Sequence, residues 1–176
     1  MTTAELILYA TPVGPLAAAL DDLFERINDT QPTTAQTYPP HCTLTGFFHR
    51  STSEIPRITS ELAAAAERLE PMPADAVEIV ELHRRPDWVG LELRSSWMEA
   101  LTEGFVREHE LAVGDDALRP KSWPHLSIAY GDVDLTHAIE SVVGFDIDLP
   151  VAWEVDLWQR TGRSWKRLRD RDDQRP

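Results

Sequence analysis

One cysteine, Cys42, stands in 176 residues, so no internal disulfide can form and nothing of that kind staples the fold. A lone thiol suits a reducing compartment, and the expected location is the cytoplasm. Long hydrophobic runs are missing as well. No stretch approaches the roughly 20 apolar residues that cross a bilayer, so no membrane partner is expected. The opening MTTAELILYA carries no basic segment ahead of its apolar run, and it reads as a strand and not as an export signal. Basic residues are scarce: 17 Lys and Arg stand against 30 Asp and Glu, a net charge of −13. Long nucleic acids bind through clustered cations that neutralise phosphates, and an acidic chain is poorly suited to that. The one basic cluster, Arg160 to Arg171, is followed at once by acidic residues and reads as a solvated strand and tail. A small anionic ligand needs only a few well-placed donors, so that class stays open.

The chain has the length of one ordinary domain, residues 1–176, and its 42% hydrophobic and 27% charged content is that of a globular protein with a real core. Nothing indicates a protein partner, and a monomer is expected. Glu5–Ala10 reads as a strand and Pro15–Ile27 as a helix, with Leu16, Leu20, Leu23, Phe24 and Ile27 at helical spacing. A polar loop spans Asn28–Pro40. His41–Phe48 reads as a strand, and a helix runs from Ser53 or Glu54 through Leu69. Asp75–Leu82 and Trp88–Arg94 form a hairpin candidate, and Ser96–Leu111 a helix. After a second loop, Ala112–Pro124, come a strand at His125–Tyr130 and a helix at Leu135–Val143. Strands at Ala152–Gln159 and Ser164–Arg169 close the chain, with Thr161-Gly162-Arg163 as their turn. Hairpins interleaved with helices argue for an α+β fold and against a doubly wound parallel sheet.

Two short stretches share one layout. PHCTL occupies Pro40–Leu44 and PHLSI occupies Pro124–Ile128, each at the same place in its half of the chain. Side chains alternate faces along a strand. His41 and Thr43, with Thr45, therefore point one way while Cys42 and Leu44 point the other. His125 and Ser127 separate from Leu126 and Ile128 in the same manner. Each strand offers an imidazole and a hydroxyl about 7 Å apart. Two imidazoles on opposite sides of a phosphate can take a proton from an attacking water and give one to the leaving oxygen. The hydroxyls can donate to the non-bridging oxygens, where charge develops. Histidine suits both tasks because its ordinary pKa, about 6.5, lies near neutrality. No HExxH, paired-cysteine or carboxylate cluster accompanies the pair, so neither a metal nor a cofactor is expected. His49-Arg50-Ser51 also satisfies His-x-Ser but reads as a surface coincidence, and His83, His109 and His137 carry no motif.

The aromatics Tyr9, Tyr38, Phe47, Trp123 and Tyr130 lie on or beside these elements, where a base could stack. Trp88, Trp97, Trp153 and Trp158 read as core or its edge, and Lys121 could offset phosphate charge.

PHCTLT and WPHLSIAYGD resemble the signature of the two-histidine phosphoesterase superfamily, and most of all its plant and fungal cyclic phosphodiesterase branch. Tyr9-Ala10-Thr11-Pro12 and Ser164-Trp165-Lys166 are placed similarly. The resemblance implies a bilobal α+β fold, with two mostly antiparallel sheets facing a central cleft, helices outside and pseudo-twofold symmetry. It implies hydrolysis of 2′,3′-cyclic nucleotides to the 2′-phosphate, or of ADP-ribose 1″,2″-cyclic phosphate to the 1″-phosphate, without metal. His41 and His125 match the catalytic pair, with His125 activating water and His41 protonating the leaving oxygen. Thr43 and Ser127 match the phosphate ligands, and Tyr130 matches a tyrosine lining the site; Tyr9 and Trp123 are further candidate substrate contacts. The branch carries several loop cysteines that this chain lacks, so no redox-closed lid is expected. Two alternatives stand beside this reading. One is processing of RNA 2′,3′-cyclic ends, or 2′–5′ joining. The other is a module that binds a nucleotide phosphate without turnover.

Overall fold

The computed structural model describes residues 2–110 and 118–168. Its strands are β1 (Thr3–Val13), β2 (Cys42–Thr43), β3 (Phe48–Ser51), β4 (Glu78–Arg84), β5 (Trp88–Arg94), β6 (His125–Tyr130), β7 (Ala152–Thr161) and β8 (Ser164–Leu168). The helices are α1 (Pro15–Thr30), α2 (Ile55–Glu67), α3 (Ser96–Glu110) and α4 (Thr136–Ser141). The fold is α+β, as its interleaved hairpins imply. The expected helix end at Leu111, the first part of the loop Ala112–Pro124 and the strand end at Arg169 fall outside the described residues. Among the described residues no helix is long and apolar enough to cross a membrane.

All eight strands join one antiparallel sheet in the order β4-β5-β6-β2-β1-β7-β8, with β3 also paired to β1. The resemblance implies two separate sheets; here two wings of one sheet meet at a single residue pair, Cys42 with Leu126. Strand parity assigns the faces. Ala4, Leu6, Leu8 and Ala10 of β1, Val89, Leu91 and Leu93 of β5, and Leu126 and Ile128 of β6 enter one core with the apolar stripes of the helices. The five α1 residues at helical spacing are all buried there, each contributing roughly 1.5–3 kcal/mol of transfer free energy. Residues of the other parity, Tyr9, Thr43, Gly90 and Ser127, are left for the opposite face.

The strand expected over His41–Phe48 is interrupted. It forms a regular ladder at Cys42–Thr43, keeps one isolated bridge from Thr45 to Pro120, and resumes as β3. Thr45 explains the break: it is 0% exposed, and its Oγ1 accepts the Leu8 N–H at 3.1 Å where a ladder carbonyl would otherwise stand. Thr45 is therefore a structural residue and not a third hydroxyl of the site. Thr45→Val should strand a buried amide and cost about 1–3 kcal/mol. Urea unfolding measures this, and an unchanged midpoint would contradict it.

The expected loop Asn28–Pro40 gives its first three residues to α1, and the rest is shaped by hydrogen bonds. A 3-10 turn at Thr34–Thr37 is capped by Thr33 and Gln36. Gln36 Nε2 donates to Ile128 O at 2.6 Å, and Thr33 Oγ1 accepts the Tyr130 N–H at 3.4 Å, tying the loop to β6.

Candidate active site

The β2–β6 pair brings the two motifs together. With Cys42 opposite Leu126, antiparallel register sets His41 across from Ser127 and Thr43 across from His125. Cys42 and Leu126 are both fully buried, so the intervening side chains anchor the pair from the core side. Burial also pushes the Cys42 thiol up to about 12, which keeps it neutral and unreactive. His41, Thr43, His125, Ser127, Tyr130 and Trp123 line one cavity of about 290 Å³. Ala35, Tyr38 and Trp88 complete its wall.

Each imidazole is held in the same way. His41 Nδ1 lies 2.7 Å from Pro39 O, and His125 Nδ1 lies 2.8 Å from Trp123 O. A carbonyl only accepts, so each Nδ1 carries a proton and donates it. Nε2 is then the nitrogen that can gain or lose a proton. The acceptor is two residues back in both motifs, across a proline whose fixed φ shapes the approach. Burial pushes His41 down to about 4, and the neighbouring His125 imidazole adds to the effect. His125 is also lowered, first by burial and then by the Lys121 ammonium. Both rings are therefore disposed to be neutral in the free protein.

Aromatic rings fix the imidazoles from behind. Tyr9 is 1% exposed, and its ring centroid lies 3.8 Å from that of His41. This corrects its expected role: Tyr9 does not line the cavity and offers no surface for a base, but packs against His41. Trp123 stacks on His125 at 4.3 Å and is 42% exposed at the rim, where a ligand can reach it. Trp165 packs against Tyr38 at 4.9 Å and Tyr9 at 5.6 Å, so β8 backs the His41 wall. Phe47 is not in the lining; it packs near Trp165 and beneath Arg160.

Tyr130 reaches the cavity through a bulge. Strict alternation from His125 would turn it to the core. The register moves from Gly90–Ser127 to Val89–Ala129, leaving Ile128 extra on β6. That added residue returns Tyr130 to the face of Ser127, as bulges beside functional sites commonly do. The Gln36 amide satisfies the Ile128 carbonyl there.

Trp88 is the residue that sequence reasoning missed. Read as core or edge, it instead lines the cavity and donates Nε1–H to Ser127 Oγ at 2.9 Å. The available signal was Gly90 inside a strand, which marks a close approach over the backbone. Lys121 lines a neighbouring cavity of about 260 Å³ with Glu99 and Glu103, although its charge reaches His125. His49 sits exposed on β3, and His83 bonds Glu92 at 2.7 Å. His109, expected at the surface or behind a site, is 1% exposed, beside Phe105 and facing Glu61 across the gap to α2.

Two arginines beyond the cavity are paired with carboxylates. Arg160 bonds Glu5 through two contacts of 2.6 and 2.8 Å, and Arg167 bonds Glu154 and Asp156. Among the described residues no three His, Cys, Asp or Glu side chains come together to hold a metal ion.

No family model matches the chain, and no curated protein matches it.

Proposed function

We propose that the chain is a metal-independent phosphodiesterase that opens small cyclic phosphates, foremost 2′,3′-cyclic nucleotides, to the 2′-phosphate. The two-lobed, pseudo-symmetric fold of the two-histidine phosphoesterases belongs to the same proposal. One observation carries it. Two imidazoles, each with Nδ1 committed to a backbone carbonyl, share one cavity with two hydroxyls. Water attacks phosphorus as one Nε2 takes its proton. The P–O3′ bond breaks as the other imidazolium gives O3′ a proton. Thr43 and Ser127 donate to the non-bridging oxygens. The donor set, two imidazoles and no carboxylate, suits proton transfer better than cation binding. His41 is pushed down to about 4 by burial and is the more firmly deprotonated of the two in the free protein, the state in which a base must start. This favours His41 as base and His125 as acid, reversing the assignment drawn from the resemblance.

The paired cations support a small substrate over RNA ends. Arg160 and Arg167 are each committed to carboxylates, which withdraws these two cations from a polyanion. The test is turnover of the four 2′,3′-cyclic mononucleotides and ADP-ribose 1″,2″-cyclic phosphate in excess EDTA, with products read by phosphorus NMR. Conversion of a cyclic mononucleotide to the 2′-phosphate, lost in His125→Ala, is the expected result. Ligand recovered unchanged would leave a binding module.

The pH profile follows from the lowered histidines. Because kcat/KM reports the free protein, its bell should be centred below pH 6.5, the ordinary histidine value from which both groups are lowered. A bound phosphate anion favours imidazolium, so the kcat profile should move to higher pH. A kcat/KM maximum at or above neutrality would contradict this. The limbs belong to the coupled pair and not to either ring alone.

A further inference from the structure

The two motif hydroxyls are not held alike. Ser127 Oγ accepts the Trp88 indole N–H at 2.9 Å, while Thr43 has no such bond among the described residues. A hydroxyl has one proton to give and two lone pairs to fill. With the indole N–H on one lone pair, the Ser127 proton must turn away from Trp88.

Gly90 makes this contact possible. The direct cross-strand partner of Thr43 is Tyr9, and that of Ser127 is Gly90. In the first motif the partner's own ring backs the histidine. In the second, the partner has no side chain, and Trp88 from two residues earlier covers the place. A Cβ on Gly90 would lie 2.4 Å from the Trp88 ring and 2.5 Å from Leu126 O. The indole thus lies across the bare backbone of Gly90. It meets Ser127 through its nitrogen and stands edge-on to His125 at 5.5 Å.

We propose that Trp88, seated over Gly90, is a positioning residue that presets Ser127 as a hydrogen-bond donor into the cavity, so that Ser127 carries the preorganised contact to a phosphate oxygen and Thr43 the adaptable one. The inference rests on the phosphodiester reading above. Preorganised donors are the effective ones, because nothing must reorient as charge develops. A serine free to rotate would spend part of its time with its proton turned elsewhere.

A double-mutant cycle tests this. Trp88→Phe keeps a ring and removes the N–H. It is made in the wild type and in Ser127→Ala, and both kcat/KM and the affinity for inorganic phosphate are measured. In the wild type it should lower kcat/KM by about tenfold, the upper range for one hydrogen bond, and phosphate affinity by about threefold. With Ser127 already removed, the loss should shrink to less than about twofold. Equal losses in both backgrounds would mean that Trp88 acts directly on the ligand or His125, or only on packing, and would overturn the proposal. So would no loss in either. Gly90→Ala, which pushes the indole aside, should reproduce the defect and add little to Trp88→Phe. If Gly90→Ala fails to fold, the phenylalanine cycle still decides. A wild type that binds phosphate but turns over no cyclic phosphate would sink the catalytic reading alone, and the phosphate cycle would still be read. A wild type that is active with an uncoupled cycle would sink only the role of Trp88.

Discussion

His125→Ala and His41→Ala are each expected to lower kcat on a 2′,3′-cyclic nucleotide by roughly two to four decades, the usual worth of a positioned acid or base. Structure should survive both changes. His125 is partly exposed, and His41, though packed on Tyr9, bonds only the carbonyl of Pro39, which can turn to water. Circular dichroism and thermal melts provide that control. The two variants should differ in one respect. A diester with a p-nitrophenolate leaving group needs no proton on departure. The variant lacking the acid should recover most of its rate on that substrate, and the variant lacking the base should not. With His41 as base, recovery belongs to His125→Ala. Recovery by His41→Ala instead would restore the assignment drawn from the resemblance. Full activity of either alanine variant on the cyclic substrate would end the two-histidine reading.

The motif strands were legible because local alternation and core burial agree. Cys42, Leu44, Leu126 and Ile128 are all buried, and His41, Thr43, His125 and Ser127 all reach the cavity. The hairpin strand Trp88–Arg94 and the strand His125–Tyr130 keep their expected limits. What was not legible depends on partners distant in sequence. Thr45 obeys the alternation of its neighbours, yet the amide of Leu8 claims its hydroxyl. Tyr9 and Trp88 carry rings that could equally face core or ligand. Cross-strand register decides between them, and a period-two pattern within one strand contains no such information. Tyr130 reaches the site through a one-residue bulge, and bulges leave little trace in composition. His109 looked unremarkable because its burial is created by α2 packing against α3, and neither helix announces the other. Gly90 is the instructive exception, since a glycine within an otherwise regular strand was a visible sign that something large passes over it.

Ser127→Ala should lower kcat by roughly two to three decades, the loss found when one preorganised donor to a developing oxyanion is removed. Thr43→Val, nearly equal in volume, should cost less, and Thr43→Ser should retain most activity because the hydroxyl remains. The order follows from the geometry. Ser127 is held by Trp88 in a wall of fixed rings, whereas Thr43 ends the two-residue strand β2. Binding should respond less than turnover. Both hydroxyls contact a singly charged diester in the ground state, but the phosphoryl oxygens gain charge as water adds, and only that gain is lost from kcat. KM should therefore change by no more than a few-fold while kcat falls. The double variant should fall short of the product of the two single losses, because the hydroxyls share one phosphate. If Ser127→Ala and Thr43→Val both stay within threefold of the wild type, the hydroxyls are not phosphate ligands. The cavity would then bind its substrate through the imidazoles and the aromatic walls, and Trp88 would have no donor to orient.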